Sequence, residues 1–251
     1  MSAETGDVNT PYLILNVPHS STIIPMRYRE LFLVGYINDE LRIMTDWYTD
    51  DLFNFPGAKI IKAELSRLVI DMERFWNDDE EPMSKVGMGA VYSRTSRGDR
   101  LIENVLAQRA EMQSYYSAYH KELETAVDMA IAHAGKTIII DCHSFSSVPL
   151  PHEVDKSYPR PDICIGTDSF HTPGGLAGLF YSFFKKKGFS VIFNSPFSGS
   201  IVPIKHYKKD RNVMSIMIEI NRSLYMDELS TSKTEGYEKL KAMLYELLGS
   251  V

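Results

Sequence analysis

The sequence predicts an α/β fold in which strands and helices form the layers of one domain. Short, apolar, β-branched runs alternate along the chain with amphipathic patterns of helical period, which is typical of layered α/β proteins. A chain of 251 residues can bury a substantial core, and although its length alone would allow two domains, no repeat or low-complexity linker divides it. We therefore expect a single domain over residues 1–251.

The predicted strands are short and apolar. In chain order they are Tyr12–Val17, Ala58–Leu65, Thr137–Asp141, Ile163–Gly166, Ser190–Asn194 and Ser215–Asn221. Leu68–Asp71 is a further candidate strand because it is also mostly apolar.

The predicted helices lie between and after these strands. They cover Asn38–Phe53, Arg100–His133, Gly174–Lys187 and Thr234–Leu248. Gly135 and Gly188 follow two of them, where glycine commonly ends a helix. Loops as long as the irregular stretches are often functional in a compact domain, so we expect them near a site. These stretches are Trp76–Arg97, Ser144–Pro161 and Pro196–Arg211.

The composition excludes several classes of function. The net charge of −6 argues against broad nucleic-acid binding, which requires neutralisation of phosphates. Two cysteines are too few for a disulfide framework or a thiolate zinc cluster. Residues 1–10, which we expect to be flexible, contain no apolar signal segment, and no apolar run approaches the ~20 residues of a membrane span. We expect a soluble, cytoplasmic protein.

Polar residues follow the predicted strands at their carboxyl ends, where open α/β sheets bind ligands. His19 follows the first strand and His143 follows Thr137–Asp141. Neutral imidazole is a common zinc ligand, and a catalytic zinc ion usually has three protein ligands and a water. The two histidines therefore either share a metal ion or are separately hydrogen-bonded at the ends of their strands.

A third metal ligand would be an acid from elsewhere in the chain. The candidates are Asp46, Asp50 and Asp51. Asp46 is favoured because it lies in an apolar stretch of a predicted helix, where a carboxylate can face inward, although it could equally face solvent. Asp141 could instead accept a hydrogen bond from the ring nitrogen of a histidine that does not bind the metal.

Glu219 interrupts an apolar strand with a carboxylate. A charge in a central strand is costly unless it is paired. Glu219 therefore either pairs with an arginine, such as Arg222 or Arg67, or serves as the general base for a water molecule.

Two arginines indicate the substrate side of the site. Arg67 and Arg74 flank an apolar segment, and an arginine can bind a carboxylate through two parallel hydrogen bonds. They indicate a small acidic substrate, unless each pairs with a nearby acid such as Asp71. The other histidines are interpreted as ordinary surface or structural residues: His120, His133, His152, His171 and His206.

Several segments combine into a specific signal. They are VPHSSTIIP at 17–25, TDWYTDDLF at 45–53, SRLVIDMERFWND at 66–78, DCHSFSSVP at 141–149, PDICIGT at 161–167, NSPFSG at 194–199 and IEINRSLYMDE at 218–228. In these segments and their order, the chain resembles the N-formylglutamate amidohydrolase family. The resemblance covers most of the chain, from about residue 12 to residue 230.

The resemblance implies a three-layer αβα fold like that of the zinc carboxypeptidases, with a twisted, mixed and mostly parallel sheet. It also implies a zinc-dependent hydrolase that cleaves a small acidic N-acyl amino acid. For N-formyl-L-glutamate, the products are glutamate and formate, in the route of histidine degradation.

The resemblance also assigns roles by position. His19, Asp46 and His143 match metal ligands, and Glu219 matches a general base. Arg67 is expected to steady the oxyanion. Arg74, Asn221 and Arg222 are expected to bind the substrate.

One position departs from the family pattern. Related enzymes usually read Asp-x-Asn-Arg where this chain reads Asp71-Met72-Glu73-Arg74. A glutamate there would repel an acidic substrate. Either the substrate is another N-acyl amino acid or a peptide-like amide, or the side chain of Glu73 points away from the substrate.

Other classes of function remain open at this point. A non-catalytic anion-binding protein could have the same fold. A serine hydrolase using Ser20 or Ser144 is weakly supported, because neither serine lies in a Gly-x-Ser-x-Gly turn. A His/His/Asp site also takes iron, manganese or cobalt, so the resemblance alone does not fix the metal.

Overall fold

The structure of the protein, a computed structural model, describes residues 12–251, so the expected flexibility of residues 1–10 lies outside the described residues. The strands are β1 (Tyr12–Val17), β2 (Lys59–Lys62), β3 (Thr137–Phe145), β4 (Ile163–Gly166), β5 (Val191–Phe193) and β6 (Val213–Asn221). The α-helices are α1 (Met26–Arg29), α2 (Ile37–Met44), α3 (Thr49–Leu52), α4 (Val105–Ala134), α5 (Gly174–Lys186) and α6 (Gly236–Leu248). Short 3₁₀ helices cover Pro82–Val86 and Arg222–Leu224.

The strands form one mixed sheet in the order β2-β1-β3-β6-β4-β5. From β2 to β6 the neighbouring strands are parallel, whereas β4 pairs antiparallel with β6 and parallel with β5. The long central strands β3 and β6 pair over their full length, from Thr137 with Val213 to Phe145 with Asn221. The predicted mixed and mostly parallel sheet is confirmed.

Helices cover both faces of the sheet, as the predicted three-layer α/β fold requires. On one face, residues of α4 such as Leu123 and Val127 pack with Ile14 of β1 and Ile139 of β3. On the other face, α5 and α6 pack against the alternate residues of the same strands, such as Ile140. Successive strand residues point to opposite faces, so one hydrophobic core lies on each face of the sheet.

The predicted helix Asn38–Phe53 is wrong in one respect, because it is interrupted. Thr45 has an extended backbone, with ψ of 136°, and ends α2. Tyr48 has a left-handed backbone, with φ of 66°, and precedes α3. Asp46 therefore lies in the break between two helices rather than early in a helix.

Two strand predictions also need correction. Leu68–Asp71 is part of a turn and not a strand; its backbone bonds include Val69 N–H to the Ser66 carbonyl at 2.8 Å. The predicted strand that ended at Asp141 continues to Phe145. His143 is therefore inside β3 and does not follow it.

Among residues 12–251, no helix combines enough length with enough apolar character to cross a bilayer.

Candidate metal centre

Three of the predicted site residues bring one ligand atom each to a common point. His19 Nδ1 lies 3.3 Å from His143 Nδ1. Asp46 Oδ2 lies 3.1 Å from His143 Nδ1 and 3.7 Å from His19 Nδ1. All three side chains are buried. The site therefore brings together the His/His/Asp set that the sequence suggested.

The fold delivers these side chains from three separate segments. His19 follows β1, and His143 lies within β3 on the same face as Asp141. The break between α2 and α3 places Asp46 opposite them, and its backbone N–H donates to the His19 carbonyl at 3.0 Å. The site thus lies over the carboxyl-terminal half of the parallel strands, on one face of the sheet.

Each of the two histidines is held at its Nε2 atom by a carboxylate. His19 Nε2 lies 2.8 Å from Asp71 Oδ1. Asp71 Oδ2 accepts a hydrogen bond of 2.8 Å from the Arg67 guanidinium and another from the Tyr92 hydroxyl. An ionised carboxylate can only accept, so Nε2 of His19 carries a proton, and in the neutral ring Nδ1 is then the nitrogen that can bind a metal ion.

His143 is held in the same way. Its Nε2 lies 3.0 Å from Asp141 Oδ1 and 3.0 Å from Glu73 Oε2. These atoms form a second acid-rich group around His143. Because both histidines turn Nε2 toward carboxylates, the two Nδ1 atoms are the natural pair of ligand atoms, and Asp46 lies beside them.

The donor set fits a divalent zinc-like ion. Two imidazole nitrogens and a carboxylate oxygen are typical of catalytic zinc sites. Metal–ligand bonds of ~2.0–2.1 Å in a tetrahedral arrangement separate neighbouring ligand atoms by about 3.3–3.4 Å. The observed separations of 3.1, 3.3 and 3.7 Å bracket that value. The three groups can therefore share one ion with little movement.

Two acids of the centre, Asp46 and Asp71, are kept ionised by their neighbours. Burial opposes ionisation of Asp46, yet the neighbouring His143 and His19 hold the pKa of Asp46 well below its usual value. Burial also opposes ionisation of Asp71, and the charges of His19 and Arg67 lower its pKa well below the usual value. Asp46 and Asp71 are therefore anionic at neutral pH, as a metal ligand and a hydrogen-bond acceptor for histidine would have to be.

Glu219 is placed beside this centre by the sheet register. It is paired with His143 across the β3–β6 ladder and lines the same cavity. Its side chain is 8% exposed, and its Oε2 atom has no hydrogen-bond partner in the described part of the chain. Burial raises the pKa of Glu219 to about 8, and the negative charge of Asp46 adds to this, while His143 opposes it. An ion pair with an arginine, one of the two alternatives for Glu219, is not formed within residues 12–251.

Arg67 and Arg74 both reach the cavity. Arg67 pairs with Asp71, while its NH1 atom lies 3.9 Å from Asp46 Oδ1. Arg74 lies farther from its acid, with Nε 3.8 Å from Asp71 Oδ2, and this Nε is buried and without a hydrogen-bond partner among residues 12–251. Arg74 thus has unused donors beside the cavity.

Asn221 is not among the residues that line the cavity, whereas Arg222 lines it but donates its hydrogen bonds to other groups of the protein. The Asn221 amide donates to the Pro161 carbonyl, and its oxygen accepts from the backbone N–H of Ser223. Arg222 donates to Asp46 Oδ1 at 3.0 Å, to Ser144 and to the Ile43 carbonyl. The geometry thus favours structural support over the substrate contact that we expected for these two residues.

A cavity of about 800 Å³ opens onto the centre. Besides the residues above, Phe145, Phe197 and Met217 give it apolar lining. The predicted loops Ser144–Pro161 and Pro196–Arg211 both contribute to its lining, as expected. Within the described chain, Trp76–Arg97 contributes no lining residue; its Tyr92 binds Asp71 and Arg67 instead.

Sequence reasoning missed two histidines that line the cavity, His120 and His152. His120 Nε2 and His152 Nδ1 are buried atoms without a hydrogen-bond partner in the described chain. Burial, followed by the charge of Arg67, lowers the pKa of His152 to about 4, and burial lowers the pKa of His120. Nothing in their local sequence signals this, since one lies on a long amphipathic helix and the other in an irregular loop.

Comparison with known proteins decides the family. The family model for N-formylglutamate amidohydrolase matches residues 12–226. The chain belongs to the N-formylglutamate amidohydrolase family. A curated relative, an N-formylglutamate deformylase from Pseudomonas putida, is 25% identical over an alignment of 250 positions that covers 94% of this chain and 90% of the relative.

Solved structures agree with this membership. The crystal structure of an N-formylglutamate amidohydrolase from Ralstonia eutropha matches with a TM-score of 0.80 and 25% identity, over 95% of this chain and 92% of that one. A gene product from Agrobacterium tumefaciens matches in fold, with a TM-score of 0.66 and 19% identity, over 96% of this chain and 90% of that one. The amidohydrolase family resemblance read from the sequence is confirmed.

Proposed function

We propose that this protein is a metal-dependent amidohydrolase that cleaves the amide of an N-formyl amino acid, such as N-formyl-L-glutamate, to the free amino acid and formate. The observation that carries the proposal is the convergence of His19 Nδ1, His143 Nδ1 and Asp46 Oδ2 within 3.1–3.7 Å of one another. Glu219, with an unused carboxylate oxygen, lines the same cavity. The names of the family and of the relatives support the choice of substrate.

His19, Asp46 and His143 would hold the ion, for which we propose zinc. A divalent ion in such a site supplies Lewis acidity, which polarises a carbonyl and makes a water molecule more acidic. Arg222, through its hydrogen bond to Asp46 Oδ1, leaves Oδ2 to face the two histidines.

Glu219 carries the proton in this proposal. It takes a proton from the attacking water as the water oxygen bonds to the formyl carbon. It returns that proton to the amide nitrogen as the carbon–nitrogen bond breaks, so that formate and a free amine leave. A positive ion at the proposed site would lower the pKa of Glu219 from its value of about 8, so that its carboxylate could accept a proton and give it back.

The arginines recognise negative charge at two points. Arg67 NH1 lies 3.9 Å from Asp46 Oδ1, beside the proposed ion site, where it can donate to the oxygen that becomes negative during attack. Arg74 offers unused guanidinium donors at the cavity and would bind a carboxylate of the substrate. The positive charges of these two arginines would let a protein of net charge −6 bind an acidic substrate.

The size of the cavity favours a second candidate, an amidase for a larger N-acyl or peptide-like substrate. N-formyl-L-glutamate has only about twelve non-hydrogen atoms, whereas pockets of roughly 300–1,000 Å³ hold drug-sized ligands. The cavity of about 800 Å³ is in the upper part of that range. Phe145 and Phe197, whose ring centroids lie 5.7 Å apart, give it an apolar surface that a formyl group does not need.

The decisive experiment measures formate released from N-formyl-L-glutamate by the purified, zinc-loaded protein. We expect turnover that is lost after chelation and recovered on adding zinc. N-formyl-L-glutamine, N-acetyl-L-glutamate and a formylated dipeptide, tested in parallel, compare the side-chain charge, the acyl group and the length of the substrate.

The possible outcomes separate the two candidates. Higher kcat/KM for N-formyl-L-glutamate than for the other compounds supports the first. Higher kcat/KM for the dipeptide, or for a larger acyl group, supports the second. Full turnover in the chelated protein would contradict metal dependence in both.

A further inference from the structure

Glu73 contacts a proposed metal ligand although it stands where the family usually has asparagine. Its Oε2 lies 3.0 Å from Nε2 of His143, and its side chain is only 15% exposed. Its Oε1 accepts a hydrogen bond of 3.2 Å from the amide of Asn16. The side chain therefore does not point away from the site, which was one of the two explanations for this departure.

Asp141 makes the same pair of contacts. Its Oδ1 lies 3.0 Å from Nε2 of His143 and accepts a hydrogen bond of 2.8 Å from the Asn16 amide. The Tyr119 hydroxyl of α4 donates to the oxygen of Asn16 at 2.6 Å, which fixes the orientation of the Asn16 amide. Asn16 thus holds two carboxylates against one ring nitrogen.

We infer that Glu73 is a positioning residue, which acts together with Asp141 to hold His143 and does not itself bind the substrate. A carboxylate at Nε2 keeps the proton there, so that Nδ1 presents its lone pair toward His19 and Asp46. It also makes the imidazole a stronger donor to a metal ion. The inference rests on the proposed function only in that His143 holds the ion.

Charge and geometry separate this role from two others. A substrate carboxylate would be repelled by Glu73 but attracted by Arg74, whose Nε is unpaired among the described residues. Glu73 Oε2 also lies 3.9 Å from His19 Nδ1, farther than Asp46 Oδ2 at 3.7 Å. Its short contact is to Nε2 of His143, the nitrogen that faces carboxylates in both histidines.

The test measures zinc affinity rather than activity alone. Metal-free wild type, Glu73→Gln and Glu73→Ala are titrated with zinc against a competing chromophoric chelator. Loss of such a supporting group typically weakens metal binding about 10–100-fold, and we expect this range for Glu73→Ala. Glu73→Gln, which keeps a hydrogen-bonding oxygen, should lie between Glu73→Ala and wild type. At saturating zinc, the KM for N-formyl-L-glutamate should stay within about threefold of wild type.

A matched control is Glu124→Gln, because Glu124 lines the same cavity but pairs with Lys121 on α4. Its zinc affinity should equal that of wild type. Circular dichroism checks the fold of each variant. If Glu73→Ala does not fold, the zinc affinity of Glu73→Gln is compared with that of wild type instead.

Three results would overturn the inference. Wild-type zinc affinity in both Glu73 variants would remove the positioning role. Complete loss of zinc, as expected for loss of a ligand, would make Glu73 a ligand. A KM at least tenfold lower, with unchanged zinc affinity, would place Glu73 against the substrate. Because zinc affinity is read without substrate, a protein that binds zinc but does not cleave N-formyl-L-glutamate would contradict the proposed function and leave this inference intact.

Discussion

His143 and Glu219 are paired across the β3–β6 ladder, and the Oε2 atom of Glu219 has no hydrogen-bond partner within residues 12–251. His143 is held by Asp141 and Glu73, whereas Glu219 is left with an unused acceptor. A buried, unpaired carboxylate is costly to stability and is expected where a proton has to move. The register of two strands therefore sets a proposed metal ligand beside a proposed proton carrier.

Replacing Glu219 by glutamine should abolish most turnover without removing the metal. We expect kcat on N-formyl-L-glutamate to fall about 10²–10⁴-fold, the usual contribution of a general base, with zinc content unchanged. Steady-state kinetics and metal analysis on the same sample check this. Glu238→Gln, on the exposed side of α6, is the control. Wild-type turnover in Glu219→Gln would show that another group moves the proton.

Replacing Asp46 by asparagine should remove the metal. The change takes an anionic ligand from between two histidines and leaves Arg222 without its partner. Metal analysis after dialysis should give about one zinc ion per chain for wild type and almost none for Asp46→Asn. The control is Asp50→Asn, since Asp50 is nearby in sequence but pairs with the exposed Lys62. Equal zinc in Asp46→Asn and wild type would exclude Asp46 as a ligand.

Replacing Arg74 by methionine should weaken substrate binding. A hydrogen bond to a charged group contributes about 1.5–3 kcal/mol, so KM for N-formyl-L-glutamate should rise about 10–100-fold while kcat changes little. Arg74→Lys should recover only part of this, because lysine cannot form two parallel bonds to a carboxylate. Arg27→Met, which removes an exposed arginine, is the control. A fall in kcat with unchanged KM would argue for a role in the chemical step.

Acid should destabilise the protein through His152. Its pKa in the folded state is about 4, mainly because it is buried and then because Arg67 is near, while the usual value is 6.5. As the pH falls from 6.5 toward 4, His152 binds a proton in the unfolded chain but not in the folded chain. The free energy of unfolding therefore decreases. Above pH 6.5 this residue adds no pH dependence.

The measurement is urea unfolding of the metal-free protein between pH 7.5 and 4. His152→Gln should lose less stability than wild type over that range, by on the order of 2 kcal/mol. His133→Gln, at an exposed position near the end of α4, should follow wild type. If the free energy of unfolding fell equally with pH for His152→Gln and wild type, the acid sensitivity would belong to other groups.

The sequence was most informative where periodicity and strand ends decide the structure. The strands from Tyr12–Val17 to Ser215–Asn221 could be predicted because buried parallel strands are continuous apolar runs. The break at Thr45 could not, because Leu41, Met44 and Leu52 fit one long helix as well as two short ones. Acidic residues in the first turn of α3 were the available signal of a new helix start.

Long-range packing explains what the sequence did not reveal about the cavity. His152 lies against the backbone of Ser96, a residue more than fifty positions earlier in the chain, and Ser96 is itself bonded to the buried Glu40. No local pattern encodes such a contact. The side chain of Glu73 likewise depends on Asn16, on a different strand, so its direction followed only from the folded structure.

The proposed ligands and their supports come from separate chain segments: the end of β1, the α2–α3 break, the turn before Arg74, β3 and the end of β6. A chain that has not assembled β1, β3 and β6 side by side has no place for the ion. Zinc would therefore bind the native protein in preference to the unfolded chain, and its concentration would shift the unfolding equilibrium. In a cell with little available zinc, such a protein would lose both folding stability and catalytic activity.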